Sequence, residues 1–129
     1  MSVELEMLAW SIVLGLVQVF AAASLVTAQR GLLWNVGPRD GSPPPLTGVA
    51  GRLDRAAKNF LETFPFFAAA VLALALAQRT DAHTALGAQL YFWARVAYVP
   101  AYAIGVPFLR TAIWAVSLVG LLMLLSALF

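Results

Sequence analysis

Residues 52–65 read Arg52-Leu53-Asp54-Arg55-Ala56-Ala57-Lys58-Asn59-Phe60-Leu61-Glu62-Thr63-Phe64-Pro65 and carry charge straight into a run of apolar residues. From Phe60 to Ala77 the chain has the composition of a membrane span apart from Glu62. A carboxylate in hydrocarbon costs about 2.5–3.5 kcal/mol on insertion scales, so a residue of this kind normally has a partner or a job. In a helix Arg55, Asn59 and Glu62 fall at i, i+4 and i+7, on one face and within about 10 Å along the axis. A cation, an amide and an anion in that order form a ladder for a zwitterionic ligand.

The rest of the composition agrees with a membrane setting. Of 129 residues 62% are hydrophobic and 11% charged, against about 45–50% and about 25% in soluble domains. This implies an integral, all-α membrane protein whose principal partner is the lipid bilayer, and one domain over residues 1–129 with no room for a soluble module. The absence of cysteine excludes disulfides, thiolate metal sites and a cysteine nucleophile in the chain itself, so any thiol chemistry arrives with a substrate. The net charge of +2 comes without a basic tract, and no nucleic-acid partner is expected.

Four transmembrane helices are predicted, over about 7–27, 53–77, 85–103 and 111–129. A cleaved signal peptide competes for the first, with Ala21-Ala22-Ala23 as its cleavage site, but Glu4 and Glu6 stand where a signal carries positive charge. Between Gln29 and Gly51 the glycines and the run Pro43-Pro44-Pro45 argue for a loop without a continuous helix. Arg30, Arg39, Arg52, Arg55 and Lys58 place five of eight basic residues on that side. The positive-inside tendency makes it cytoplasmic and puts both termini outside; Arg39 and Arg52 read as topology signals. Pro65 predicts a kink beside Glu62, and the small-residue patches Ala21–Ser24 and Ala68–Ala70 predict close helix approaches. His83 reads as a solvated loop residue. A bundle this thin, with few interior positions, is expected to oligomerise.

The third span carries a second polar face. Tyr91, Arg95, Tyr98 and Tyr102 are spaced four, three and four, one stripe on a helix. An interfacial aromatic belt accounts for a single tyrosine but not for Arg95, which predicts the wall of a polar cavity inside the bundle. Arg110 opens the last span. Together Arg55, Asn59, Glu62, Arg95, Tyr98, Tyr102 and Arg110 suit binding an amphipathic anion and stabilising negative charge on it. One histidine and no cysteine exclude a His/Cys metal cluster, and no nucleophile–base set or phosphate loop is present.

Arg55-x-x-x-Asn59-x-x-Glu62-x-x-Pro65, Arg95-x-x-Tyr98-x-x-x-Tyr102 and Arg110 resemble the signature of the MAPEG family. These are the membrane-associated proteins of eicosanoid and glutathione metabolism, which include microsomal glutathione transferases and prostaglandin E synthase. Phe60-Leu61-Glu62-Thr63-Phe64-Pro65 and Leu109-Arg110 look closest to the small bacterial branch. The resemblance implies a four-helix bundle assembled as a homotrimer in the bacterial inner membrane, with glutathione as co-substrate between neighbouring subunits near the cytoplasmic face. It also implies a transferase or peroxidase acting on hydrophobic small molecules. Arg55 would pair with a glutathione carboxylate, Glu62 with its ammonium and Asn59 with a peptide group. Tyr98 and Tyr102 would line the tripeptide pocket, Arg30 or Arg95 would add a carboxylate contact, and Arg110 would stand in the place of the thiolate-stabilising arginine. The segment from Tyr102 to Arg110, with Pro107 inside it, departs in spacing from the leukotriene-conjugating members.

The rival reading is a non-catalytic membrane protein in which Glu62 pairs with Arg55 or Arg95 and the charges hold the assembly together. A transporter is a distant alternative, because the chain lacks a continuous polar path.

Overall fold

The computed structural model describes residues 1–129. It contains four long helices and one short one: α1 Val3–Arg30, α2 Leu32–Val36, α3 Gly48–Ala77, α4 Ala82–Ile104 and α5 Leu109–Ser126. Three of them, α1, α3 and α5, are long and apolar enough to cross a membrane. At about 1.5 Å per residue α1 is about 42 Å long, more than the roughly 30 Å of hydrocarbon. The chain is an integral membrane protein.

Several predicted boundaries move outward, each for a local reason. α1 begins at Val3 because Ser2 caps it, its side chain accepting from the Leu5 N–H at 3.3 Å, with Glu4 and Glu6 in the first turn where carboxylates favour the helix dipole. The loop predicted from Gln29 to Gly51 is shorter than expected. Gly31, at φ 92°, ends α1; the chain makes one further helical stretch, α2, and only residues 37–47 remain irregular before α3 starts at Gly48. α3 stays helical through Pro65, as α4 does through Pro100. His83 lies in the first turn of α4 rather than in a loop, exposed and 3.4 Å from Ser126 Oγ.

The helices run up, down, up and down. Contacts at the two ends fix this arrangement. At the end that holds both termini, Thr84 Oγ1 donates to the buried carboxylate of Glu4, and Arg79 Nη1 donates to the Leu128 carbonyl at 2.9 Å. At the other end Gln29 and Thr47 exchange two hydrogen bonds, and Arg52 Nε donates to the Ala103 carbonyl at 2.8 Å. Arg52 therefore ties α3 to α4 in addition to any topological role, while Arg39 bonds locally to Asn35.

The apolar core lies in the half of the bundle near the termini, where Met7, Leu8, Phe67, Val71, Leu74, Phe92 and Leu124 pack together. Phe67 stacks on Tyr91 with ring centroids 4.0 Å apart, and the Tyr91 hydroxyl meets Thr63 Oγ1 at 2.9 Å. Tyr91 is thereby a core residue and does not open onto a cavity. Only 28 of 129 residues are buried, so large side chains such as Trp10, Phe20, Phe66, Leu76 and Trp93 face outward, as hydrocarbon permits and water would not.

One close helix approach falls at a glycine pair outside the two alanine patches. A Cβ added at Gly120 would sit 2.5 Å from the Gly87 carbonyl oxygen and 2.7 Å from the Tyr91 nitrogen, so α4 and α5 cross backbone to backbone at this glycine pair. Of the two alanine patches, Ala22 and Ala70 are buried, while Ala21, Ala23 and Ala69 face outward. Small residues allow this contact because no hydrophobic driving force exists between helices in lipid and dispersion must come from proximity.

Gly120→Ala is expected to lower stability by about 1–3 kcal/mol, the range for overpacking, read as a drop in apparent Tm by tryptophan fluorescence in detergent. At the head of α4 the Thr84 backbone N–H donates to the Asp81 carboxylate and holds its pKa below the ordinary value, with a smaller opposing effect of desolvation. A carboxylate depressed in this way stabilises the fold fully above its unfolded pKa of about 3.9 and loses the contribution as pH falls through the lower folded value. Asp81→Asn, which keeps a capping side chain, should therefore show a shallower fall in apparent Tm below pH 4 than the natural chain.

Candidate functional site

The half of the bundle near the long loop gathers arginines and tyrosines instead of aliphatic side chains. Tyr102, near the end of α4, is the centre. Arg55 Nε, from the second turn of α3, donates to its hydroxyl at 3.1 Å, and the Arg55 guanidinium carbon lies 5.8 Å from the ring centre. Arg110, from the first turn of α5, covers the same ring at 4.7 Å. Tyr98, one turn back on α4, meets Tyr102 edge to face with centroids 5.6 Å apart. The i, i+4 spacing of these rings on one helix dictates that contact.

Arg95 continues the stack inward. Its guanidinium carbon lies 4.3 Å from the Tyr98 ring and 5.6 Å from the Phe60 ring. This corrects the expectation of a cavity wall: Arg95 is 1% exposed, and Nε, Nη1 and Nη2 have no hydrogen-bond partner in the protein. What faces the cation is the negative side of aromatic rings, an attraction worth about 2 kcal/mol when desolvated. Phe60, read in the sequence only as part of an apolar run, is thus half of the arginine's environment. Its position one residue past Asn59 turns it inward.

The remaining residues of the α3 ladder keep free valences. Asn59 is half-buried with its Oδ1 unpartnered. Glu62 is exposed and unpaired, since the one ion pair in the chain is Lys58 with Asp54 at 3.0 Å. The structural pairing of Glu62 with Arg55 or Arg95 is therefore not formed within the chain.

Arg30 is not brought to this cluster. Its Nε donates to the Pro44 carbonyl at 3.1 Å, and it lines a groove of about 400 Å³ between α1, α2 and α3 together with Arg39, Lys58 and Asp54. On α3 the groove residues Asp54, Ala57, Lys58 and Leu61 are turned roughly a third of a turn from Arg55, Asn59 and Glu62, at 3.6 residues per turn. The chain thus presents two polar faces, one centred on Tyr102 and one containing Arg30.

This combination of a helix ladder and an arginine–tyrosine stack accompanies a match over nearly the whole chain. The family model described as the MAPEG family matches residues 7–129. The chain belongs to the MAPEG family. No curated protein matches it. Membership in the MAPEG family is compatible with catalysis and with non-catalytic roles alike.

Two buried polar side chains escaped the sequence reading of the site. Ser11 and Gln18 of α1 are 0% and 6% exposed, and their Oγ, Oε1 and Nε2 atoms have no partner in the protein. The available signal was a polar residue in an otherwise apolar span.

Because Arg95 has no carboxylate partner to orphan, replacing it with a flexible apolar side chain removes a buried charge without creating another. Arg95→Met is expected to leave apparent Tm unchanged or raise it, whereas a cation that held the fold through an ion pair would cost about 3–5 kcal/mol on removal. Thermal unfolding with size-exclusion chromatography distinguishes the two.

Proposed function

We propose that this MAPEG protein is a glutathione-dependent membrane transferase or peroxidase acting on lipophilic electrophiles. The observation that carries the reading is the convergence of Arg55 and Arg110 on Tyr102, neither of them in an ion pair, with the unpaired carboxylate of Glu62 two turns further along α3. Glutathione has two carboxylates and one ammonium, which this set complements. Arg55 holds a carboxylate, Glu62 the ammonium, and the free Asn59 carbonyl accepts from a peptide N–H, each contact charge-assisted or amide-like. Tyr98 and Tyr102 line the tripeptide, and Arg95 fixes the Tyr98 ring from behind.

In this reading Arg110 acts on the thiol. A free thiol with pKa about 8.5 is mostly protonated at neutral pH, and lowering it by two units takes about 2.7 kcal/mol of preferential thiolate stabilisation. The Arg110 guanidinium, exposed in the single chain and lying over the Tyr102 ring, supplies a charge of the right sign. The proton leaves to solvent on the loop side, and the thiolate sulfur bonds to an electrophilic carbon that reaches it from the bilayer; the bond broken there is the carbon's bond to a leaving group, which departs with the electron pair, or a π or strained-ring bond, whose electrons take up a proton from solvent.

The two polar faces support a site completed by a second copy. A ligand that touches both Arg55 and Arg30 must lie between one chain's Tyr102 face and another's Arg30 groove, as the homotrimer of the family implies. We also propose that α4, about 35 Å long for its 23 residues, crosses the bilayer as the fourth span despite Arg95. In that topology the arginine-rich loop side is cytoplasmic, in the inner membrane of a bacterium.

Calorimetric titration of the detergent-purified protein with glutathione, in two buffers of different ionisation enthalpy at one pH, measures binding and proton release together. Saturable binding with release of a substantial fraction of a proton per site is expected. Arg110→Ala should keep binding and lose the proton release. Arg55→Ala and Glu62→Gln should weaken binding about 10- to 100-fold, as for charge-assisted hydrogen bonds. Absence of binding at millimolar glutathione would leave the charges to the structural reading.

A further inference from the structure

Gln18 and the residues around it form a second site that does not depend on the glutathione reading. Gln18 is in the sixteenth position of α1, about 18 Å from the loop-side end of that helix at about 1.5 Å per residue, well inside the hydrocarbon. It lines a groove of about 360 Å³ between α1, the start of α3 and α4. Leu14 and Val17 from α1, Leu53 from α3 and Val99 from α4 make its walls apolar. No charged side chain lines it.

Two of the residues that line it carry groups short of hydrogen-bond partners. The Gln18 carboxamide is more than nine-tenths buried, and neither its oxygen nor its nitrogen has a partner in the protein. Val96 and Pro100 both line the groove and stand four apart on α4, so the N–H that would normally close on the Val96 carbonyl does not exist. An amide and a carbonyl of this kind in hydrocarbon cannot turn to water for compensation, and the helices of a membrane protein normally satisfy such groups among themselves. An uncharged ligand with one donor and one acceptor on an apolar body fits them. Its donor goes to the Val96 carbonyl or Gln18 Oε1, and its acceptor takes a hydrogen bond from Gln18 Nε2. A charged head would be buried without a counter-ion, which the groove's chemistry rejects.

We propose that this groove binds a neutral lipophile carrying a hydroxyl group, held by Gln18 and the Val96 carbonyl. The groove shares no residue with the Tyr102 cluster or with the Arg30 groove. On α4 its residues Val96, Val99 and Pro100 lie roughly a third of a turn from Arg95, Tyr98 and Tyr102. It opens along the membrane, since Val17 and Ala21 at its edge are exposed, so a ligand enters laterally from the loop-side leaflet.

The test uses the full chain in nanodiscs and three photoreactive diazirine probes of one chain length: a long-chain alcohol, its methyl ether and the plain hydrocarbon. The alcohol should label residues in the 14–21 and 96–100 stretches saturably, and about tenfold more strongly than the ether or the hydrocarbon, the effect of one to two buried hydrogen bonds. Gln18→Leu should abolish that preference. Ala21→Phe, a change at an exposed position on the groove's edge, should block labelling without touching the core and serves if Gln18→Leu fails to fold. Arg110→Ala should leave labelling unchanged, which separates this site from the thiol site. Equal labelling by alcohol, ether and hydrocarbon would mean ordinary annular lipid and would overturn the proposal. So would an alcohol preference that survives in Gln18→Leu, or labelling confined to other helices.

Discussion

Hydrocarbon offers no hydrogen bonds, and most of this structure follows from that. Backbone groups in the spans must find their partners within the protein, which leaves helices or closed barrels, and apolar runs of helical length take the helical solution here. The same absence removes the usual reason for apolar side chains to turn inward. Trp10, Phe20, Phe66 and Trp93 face outward at no cost, while the interior is free to collect residues that a soluble core would reject. The hydrophobic effect therefore does not choose the inside of this protein; close packing and polar contacts do.

The division of the bundle into two halves expresses that choice. Near the termini, helices close on one another through Phe67, Tyr91, Leu74 and the Gly87–Gly120 crossing, and the Glu4–Thr84 bond pins the start of α1 to the head of α4. Near the loop, aliphatic packing gives way to Arg55, Arg95, Arg110, Tyr98 and Tyr102. A rigid half thus carries a half built to meet a charged ligand. The rings of Tyr98 and Tyr102 let three cations stand close together without intervening carboxylates, because each guanidinium has an aromatic face to lie on. Carboxylates that neutralised the arginines internally would leave the site nothing to offer an anion.

Gln18 and Arg95 show two different fates for a polar group in a span. Arg95 is compensated by the ring faces of Phe60 and Tyr98. Gln18 has no such neighbour and lines a groove instead. The contrast explains why a polar residue in an apolar run is informative and yet ambiguous: its meaning depends on which helix stands opposite.

Much was legible in order along the chain. The apolar composition determined a membrane protein, the 3.6-residue period put Arg55, Asn59 and Glu62 on one face and Arg95, Tyr98 and Tyr102 on another, and the motif spacing pointed to the MAPEG family, because local geometry within one helix needs no knowledge of the others. Helix ends were less legible. The start of α1 at Val3 rests on a Ser2 cap, and α2 rests on a single glycine at φ 92°, both too local to show as periodicity. Tertiary structure alone decided the pairings. It stacked Arg95 on Phe60 instead of opening it to a cavity, centred Arg55 and Arg110 on Tyr102, left Glu62 unpaired, sent Arg30 to a different face, and placed the tight helix crossing at Gly87 and Gly120. The physical reason is that a period fixes which residues share a face, while the rotation and depth of each helix against its neighbours fix what that face meets.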